Sequence, residues 1–252
     1  MDESNIKNQP TSYDVENRVE SFHWWFVVRR KLLASILSSI HVPTNSLTLD
    51  IGCGVGSNLK VLSSAGTNAI GLDRSIYALS LISKQLEVPL LNGDLNDLPV
   101  RSKSVGLIVA MDILEHLDDD ANGISEFYRA LSNGGILIVT VPAFNFLWGI
   151  QDEVTGHKKR YLKEEITNKL KKAGFDIMKA SYFNFFLFFP ILFGRRIIRF
   201  LRLRVESENK INSPLVNFVL KTIFSFEPCI LKYFSFPFGV SILCIAKKTS
   251  TA

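Results

Sequence analysis

The stretch LTLDIGCGVG at residues 47–56 decides the fold. Its first five residues alternate as those of a short β-strand do, and the glycines that follow at every second position predict a tight turn into a helix. Glycines at such a turn also leave bare backbone, against which a ligand can lie. A purely structural strand-to-helix turn would show the same pattern, so the surrounding sequence has to distinguish the two interpretations.

Strands and helices alternate after this turn. The apolar patterns predict strands at 68–72, 89–92, 105–111, 136–141 and 175–180, and helices at 57–65, 76–86, 124–131 and 163–173. In the helix at 76–86, Ile76, Leu79 and Leu86 share one face, and Gly134 and Gly135 are expected to end the helix at 124–131. The run at 105–111 is nearly all apolar, which is typical of a parallel strand buried on both faces. The fold class is therefore α/β, with a doubly wound, mostly parallel sheet that binds ligands at the carboxyl ends of its strands.

Acidic residues stand at three of these strand ends. Asp50 precedes the glycines, and Asp73 ends the second strand 23 residues later, where a carboxylate can accept hydrogen bonds from both hydroxyls of a ribose. Asp94 follows the third strand and offers an acceptor for an adenine amino group, with Leu95 beside the ring. Taken alone, Asp73 could equally cap a helix.

Five motifs in order resemble those of class I S-adenosylmethionine-dependent methyltransferases. They are Asp50-x-Gly52-x-Gly54-x-Gly56, Asp73, Gly93-Asp94-x-x-x-Leu98-Pro99, Asp112-Ile113-Leu114-Glu115-His116-Leu117 and Asn133-Gly134-Gly135-Ile136-Leu137. The similarity is greatest to the type 11 subgroup, which includes ubiquinone-type methylases, and it covers about residues 47–180. It implies a Rossmann-like sheet of seven strands, in which the last, at 240–246, lies antiparallel between the fifth and the sixth.

The resemblance also implies a cofactor, S-adenosylmethionine, whose product is S-adenosylhomocysteine. Gly52 and Gly54 would approach the methionine part of the donor, Asp73 the ribose, Asp94 and Leu95 the adenine, and Met111 would lie close by. The residues expected to bind the cofactor are Asp50, Gly52, Cys53, Gly54, Asp73, Arg74, Asp94, Leu95, Met111 and Arg30.

Two other functions compete with methyl transfer. A nicotinamide-dependent oxidoreductase has a similar fold, but its pattern G-x-G-x-x-G needs a glycine where this chain has Ser57. A catalytically silent methyltransferase fold that only binds its ligand is compatible with every motif. Donor binding without turnover would identify it.

Two histidines are candidates for catalysis. If the acceptor is a hydroxyl, a base must remove its proton, and histidine is suited to that near neutral pH. His116 follows the fourth strand, where a structural role is the alternative, and His157 lies after the fifth strand, where a solvated side chain beside Arg160 and Tyr161 is the alternative. The chain has no metal-ligand spacing, so no metal is predicted. The acceptor is expected to be a small or lipid-linked molecule, with oxygen, nitrogen and carbon all open as the attacked atom.

Four regions are predicted along the chain. Residues 1–45 form a lid, with one helix at 15–40 whose Trp24, Trp25 and Phe26 cover the cofactor. An arginine of the pair Arg29 and Arg30, with Arg30 as the candidate, meets its carboxylate. Residues 46–183 form the cofactor-binding core, 184–239 a helical insertion, and 240–252 the last strand and tail.

The insertion is both aromatic and basic. The chain carries 29 Lys and Arg against 24 Asp and Glu, but residues 183–252 hold ten of the former, three of the latter and 13 of the 19 Phe. Residues 185–193 are too short to cross a bilayer, and 195–204 alternate arginines with apolar residues, as helices at an anionic membrane surface do. A homodimer interface or a lid packed on its own domain would also explain this composition.

Location is predicted from the cysteines and the N-terminus. Cys53, Cys229 and Cys244 suggest no disulfide framework, and residues 1–10 lack the pattern of a signal peptide. The protein is therefore expected in the cytoplasm, either free or peripheral at the inner face of the membrane, without a nucleic-acid partner.

Overall fold

The computed structural model describes residues 12–42, 46–201 and 213–249. A sheet of seven strands runs through its centre in the order β3-β2-β1-β4-β5-β7-β6. Six strands run parallel, and β7 pairs antiparallel with both β5 and β6. The strands are β1 Leu47–Ile51, β2 Asn68–Asp73, β3 Leu90–Asn92, β4 Val105–Met111, β5 Leu131–Pro142, β6 Phe175–Phe183 and β7 Ser241–Lys248. The predicted fold class and the antiparallel place of the last strand are confirmed.

Helices cover both faces of this sheet. Every residue of β4 is buried, as a parallel strand with helices on either side requires. The helices are α1 Ser12–Val19, α2 Trp24–Leu37, α3 Ser57–Ser64, α4 Ile76–Ser83, α5 Asp120–Ala130, α6 Ile150–Thr155, α7 Lys163–Lys172, α8 Phe188–Phe200, α9 Pro214–Ser225 and α10 Glu227–Leu231. In this architecture, the carboxyl ends of the parallel strands and the N-termini of the helices that follow them lie at the same edge of the sheet.

The single helix predicted at 15–40 is wrong, because the chain breaks between α1 and α2. Glu20 lies in this break and is buried, where its carboxylate contacts Ser57 and Lys60 of α3. His23 then starts α2, since its Nδ1 accepts a hydrogen bond from the backbone N–H of Trp25 at 3.4 Å. The contacts of the buried Glu20 carboxylate with α3 thus coincide with the break, where helical periodicity alone would continue the helix.

Two further details of the prediction are wrong. Ile76, the first residue of α4, is 71% exposed although Leu79 is buried, and the helix ends at Ser83, before Leu86, so the three residues do not form one buried face. Gly134 and Gly135 do not follow the helix but lie within β5, which starts directly after α5. The register against β4 moves from Val105–Leu131 to Leu107–Ile136, so the glycines form a bulge in the strand.

The insertion packs on the N-terminal helices. Asn217 of α9 accepts a hydrogen bond from the backbone N–H of Trp24 at 2.8 Å and donates one to the carbonyl of Phe22 at 2.9 Å. Glu227 of α10 is buried and accepts from the N–H of Phe186 at 2.9 Å, which fixes the start of the insertion. The predicted helix at 195–204 is the end of α8, and Arg202 and Arg204 lie outside the described residues.

Trp25 joins α2, the sheet and the insertion. Its indole stacks on Phe183 of β6 at 5.9 Å and 10°, and on Phe224 of α9 at 5.8 Å and 9°. Stacked aromatic rings contribute about 0.5–1.5 kcal/mol beyond the area that they bury. Three segments that are distant in the chain thus share one aromatic contact.

We expect Trp25→Ala to lower the free energy of unfolding by about 3 kcal/mol, because both ring contacts and the buried area are lost together. Urea unfolding followed by circular dichroism measures the change. Tyr233→Ala is the matched control, since Tyr233 is 78% exposed and its removal should change stability by less than about 0.5 kcal/mol. Equal midpoints for the two variants would contradict the assigned role of Trp25.

Candidate active site

A cavity of about 460 Å³ opens at the carboxyl ends of β1 and β4. Its size lies within the range of small-molecule sites, about 300–1,000 Å³. Its walls come from the turn after β1, the ends of β2, β4 and β5, helices α1 and α2, the 3₁₀ turn Leu114–His116, the segment around α6 and helix α8. The cavity therefore lies where the α/β architecture predicts a ligand.

The glycine turn forms one wall. Gly52 and Gly54 have left-handed backbones, with φ of 68° and 53°, and a Cβ on Gly52 would stand 2.6 Å from Cδ1 of Ile113. Only glycine adopts this conformation without strain in so little space. The backbone of the turn therefore faces the cavity without side chains over it.

Asp73 stands beside this turn and is nearly buried. Its carboxylate accepts from the N–H of Gly54 at 2.9 Å and from the N–H of Ser75 at 2.8 Å. A carboxylate has about four acceptor positions, so two remain for a ligand in the cavity. This geometry is compatible with the predicted contact to ribose hydroxyls.

The predicted cofactor residues fall into two groups. Those that line the cavity are Gly52, Cys53, Gly54, Asp73 and Met111, and those that do not line it are Asp50, Arg74, Asp94, Leu95 and Arg30. Asp94 is exposed and accepts from the N–H of Asn96 at 2.8 Å, while Leu95 packs in the core. The adenine contacts of this pair remain a prediction.

Of the two neighbouring arginines, Arg30 does not line the cavity. Its guanidinium donates to the carbonyl of Glu20 at 2.7 Å, away from the cavity. Arg29 lines the cavity instead and is paired with Asp112 at 2.7 Å. Successive residues of a helix point about 100° apart, so only one of the two can face the ligand. The cationic side chain on this wall is Arg29.

A buried carboxyl group, Asp50, and a half-buried one, Glu16, lie around the glycine turn. Asp50 accepts from Nδ2 of Asn58 at 3.0 Å, and burial raises its pKa to about 7. Burial likewise raises the pKa of Glu16, which lines the cavity, to about 7. Glu16 was not predicted from the sequence, because α1 carries no motif and its contact with the turn is long-range. Asp50 does not line the cavity and supports the turn from the protein interior, through its hydrogen bond with Asn58.

His157 is anchored in the opposite wall. Its Nδ1 lies 2.8 Å from Oδ1 of Asp152, whose two oxygens also accept from Nε and Nη2 of Arg160 at 2.9 and 3.0 Å. Burial would raise the pKa of Asp152, but the bonds from His157 and Arg160 outweigh it and lower the pKa to about 2. With 13% of its side chain exposed, His157 is not the solvated residue of the alternative interpretation.

Glu115 and His116 complete this wall. The ring of His116 stands edge-on to that of His157 at 4.9 Å, and burial lowers the pKa of His116 to about 4, although a hydrogen bond to the backbone of Gly156 opposes this. Glu115 is fully buried, which raises its pKa well above the ordinary range, and Asp112 adds to the effect. His116 and His157 are 41 residues apart in the chain, so no local motif could predict their contact.

The raised pKa of Asp50 predicts a pH-dependent stability. The folded state keeps the proton of Asp50 up to about pH 7, whereas the unfolded chain releases it near pH 4, so this group destabilises the fold progressively as pH rises between these values. Asp50→Asn removes the effect. We expect the variant to gain on the order of 3–4 kcal/mol relative to the parent between pH 4 and pH 8 in urea unfolding.

Asp176→Asn is the control for this experiment, because Asp176 is exposed on β6 and its neutralisation should leave the pH profile nearly unchanged. A difference between parent and Asp50→Asn that stays constant with pH would show that Asp50 is ionised in the folded protein.

Comparison with known proteins agrees with this geometry. The sequence model described as "Methyltransferase domain" matches residues 49–139. A protein of Mycolicibacterium smegmatis named "Probable S-adenosylmethionine-dependent methyltransferase" is 30% identical over 132 residues, which are 51% of this chain and 51% of the relative. The ubiquinone/menaquinone biosynthesis C-methyltransferase UbiE of Campylobacter jejuni is 24% identical over 209 residues, 69% of this chain and 88% of the relative. The chain thus aligns with about half the length of the first of these relatives.

Solved structures show the same fold. A SAM-dependent methyltransferase of Archaeoglobus fulgidus superposes with a TM-score of 0.58 at 20% identity, over 91% of this chain and 97% of the other. Phosphoethanolamine N-methyltransferase 2 of Haemonchus contortus, in complex with S-adenosylmethionine, gives 0.57 at 21% identity over 87% and 52%. At these identities the likeness concerns the fold alone. Residues 49–139 thus match the methyltransferase-domain model, and the chain as a whole has the class I fold of the S-adenosylmethionine-dependent methyltransferases to which it is similar.

Proposed function

We propose that the protein transfers the methyl group of S-adenosylmethionine to a hydroxyl oxygen of a small or lipid-linked acceptor. The observation that carries this proposal is one continuous cavity, with Gly52, Gly54 and Asp73 on one wall and the anchored His157 on the other. The sulfonium already makes the methyl carbon electrophilic, so the protein has mainly to align donor and acceptor and exclude water. Trp24 and Trp25 line the cavity and would help to keep water out.

His157 supports the choice of a hydroxyl. A neutral histidine that donates its Nδ1–H to Asp152 presents a lone pair at Nε2. That nitrogen could accept the proton of the acceptor while its oxygen bonds to the methyl carbon and the carbon–sulfur bond breaks. His116, packed against His157, would hold the ring in place. UbiE is named a C-methyltransferase, so a carbon acceptor is the competing outcome of any product analysis.

Binding of S-adenosylhomocysteine tests the donor site. We expect Asp73→Ala to weaken it by about 1.5–3 kcal/mol in calorimetry, or roughly 10- to 150-fold, because the ribose hydroxyls lose a charged acceptor. Asp176→Ala, which removes an exposed acid from β6, should bind like the parent.

Equal affinity of Asp73→Ala and the parent would remove Asp73 from the donor site. Tight binding of the donor without methyl transfer to any hydroxyl, amine or carbon acceptor would instead favour the silent binding protein.

The second part of the proposal concerns location, which we place at the inner face of the cytoplasmic membrane. Many large apolar side chains of α8 and α9 face solvent, and we call them the apolar surface; they are Phe189, Phe193, Ile197, Phe200, Leu215, Val216, Phe218, Val219 and Ile223. Extensive apolar exposure marks an interaction site in soluble proteins. A lipid surface or a second copy of the chain would cover it.

Positive charge next to the apolar surface favours anionic lipid. Arg196 and Arg199 are exposed on α8, where they could meet phosphate groups, although one nitrogen of Arg199 also donates to the carbonyl of Trp148 at 2.7 Å. Arg195, which the sequence placed in the same basic stripe, instead donates to the carbonyl of Leu147 and lies 3.9 Å from Asp152. Arg195 therefore interacts with groups of the protein itself and is not counted among the arginines that would meet lipid.

The stretch Pro214–Leu231 is long and apolar enough to cross a membrane by length and composition alone. Asn217 and Phe224 nevertheless contact α2, and Glu227 is buried against the start of the insertion. These contacts tie one side of the stretch to the domain. They favour helices that lie on the membrane over a helix that crosses it.

Sedimentation with phosphatidylglycerol vesicles tests the location. We expect binding at low salt that is released as salt screens the arginines, and strongly reduced binding by the double variant Arg196→Gln, Arg199→Gln. Lys171→Gln, Lys172→Gln is the control, since it removes the same charge from exposed positions on α7. A stable dimer that binds no vesicles would assign the apolar surface to a second copy of the chain.

A further inference from the structure

Three side chains in the acceptor wall of the cavity form a potential ligand set. Glu115, His116 and His157 each offer one ligand atom, and these atoms lie within 4.8 Å of one another. All three residues line the cavity. We infer that they bind a divalent transition-metal ion, with Zn²⁺ as the best match to two imidazoles and a carboxylate, and with an open position toward the acceptor.

The environment of Glu115 is the first argument for a cation. Its side chain is fully buried, and neither carboxylate oxygen has a hydrogen-bond partner among the residues that the structure describes. Buried polar groups are normally hydrogen-bonded, and an unpaired pair of oxygens is costly to bury. A metal ion at this wall would satisfy both the charge and a lone pair of the carboxylate.

The orientation of the two histidines is the second argument. His157 uses Nδ1 for Asp152 at 2.8 Å, and His116 uses a ring nitrogen for the backbone of Gly156. Histidines that ligate metals are typically held in this way, with the other ring N–H given to a carboxylate or a carbonyl. Each ring thus keeps one nitrogen available for a ligand bond.

The distances need only a small adjustment. Nε2 of His157 lies 3.7 Å from Oε1 of Glu115, whereas ligand atoms on a tetrahedral Zn²⁺ lie about 3.3 Å apart, given bonds of about 2.0–2.1 Å. All three ligand atoms lie within 4.8 Å of one another, so each pair has to approach by at most about 1.5 Å for three ligands to converge.

This inference rests on the proposed function and sharpens its chemistry. With one carboxylate and two neutral imidazoles, a divalent ion keeps one positive charge, which an acceptor oxygen bound at the open position would balance. Such an oxygen loses its proton to water more easily, and then bonds to the methyl carbon as the carbon–sulfur bond breaks. His157 would then be a metal ligand rather than the base, which makes an oxygen-containing acceptor the substrate class.

Cobalt titration tests the site without any acceptor. The full-length protein is treated with a chelator, dialysed and titrated with Co²⁺, whose visible absorption reports a site of low coordination number, and Zn²⁺ is then added as a competitor. We expect one equivalent of Co²⁺ to bind and to be displaced by Zn²⁺. Glu115→Gln and His157→Gln should each weaken binding at least about tenfold, as the loss of a ligand requires.

His41→Gln is the matched control, because His41 is exposed and far from the set in the chain. Binding of S-adenosylhomocysteine is measured on every sample, so that a misfolded variant or a failure of the donor site is recognised separately. Absence of a Co²⁺ spectrum in the parent, or equal affinity in the parent and in both variants that still bind S-adenosylhomocysteine, would overturn the inference and return His157 to the role of base.

Discussion

The turn between β1 and α3 depends on hydrogen bonds to the end of β2. The N–H groups of Gly52 and Cys53 donate to the carbonyl of Leu72 at 2.8 and 3.0 Å, and the N–H of Gly54 donates to the carboxylate of Asp73. A left-handed turn fixed in this way sets the direction of α3 and leaves its own backbone open. The cavity has its shape because two neighbouring parallel strands end at the same level.

Several carboxyl groups lie around this cavity, and their environments differ. Asp152 is ionised, since Arg160 and His157 compensate its burial, whereas Asp50, Glu16 and Glu115 have raised pKa values because burial is not fully compensated. Burial without compensation favours the neutral form or the binding of a positive group. Both proposed ligands are positively charged, since the methyl donor carries a sulfonium and the ligand of the acceptor wall is a metal ion. A cavity with such carboxyl groups favours positive charge.

Local patterns predicted most of the sheet. The alternation in β1, the apolar run of β4 and the glycines of the turn depend on neighbours in the chain, and the resemblance placed β7. The break at Glu20 was missed, because it depends on an ion pair with Lys60 of α3. The same holds for the site. Asp73 stands in a motif, but which of Arg29 and Arg30 faces the cavity depends on helix phase, and the anchoring of His157 depends on Asp152 of α6 and on Arg160. Long-range partners of charged groups are what the sequence left undetermined.

The hydrogen bonds between α9 and the start of α2 have a mechanical consequence. Helix α2 contributes Trp24, Trp25 and Arg29 to the cavity wall, and the amide of Asn217 holds its first turn. A displacement of α9 is therefore transmitted to the wall through a short, stiff linkage. A membrane or partner bound to the outer side of α9 should therefore change the width of the cavity opening. The rates at which ligands enter and leave the cavity should change with it.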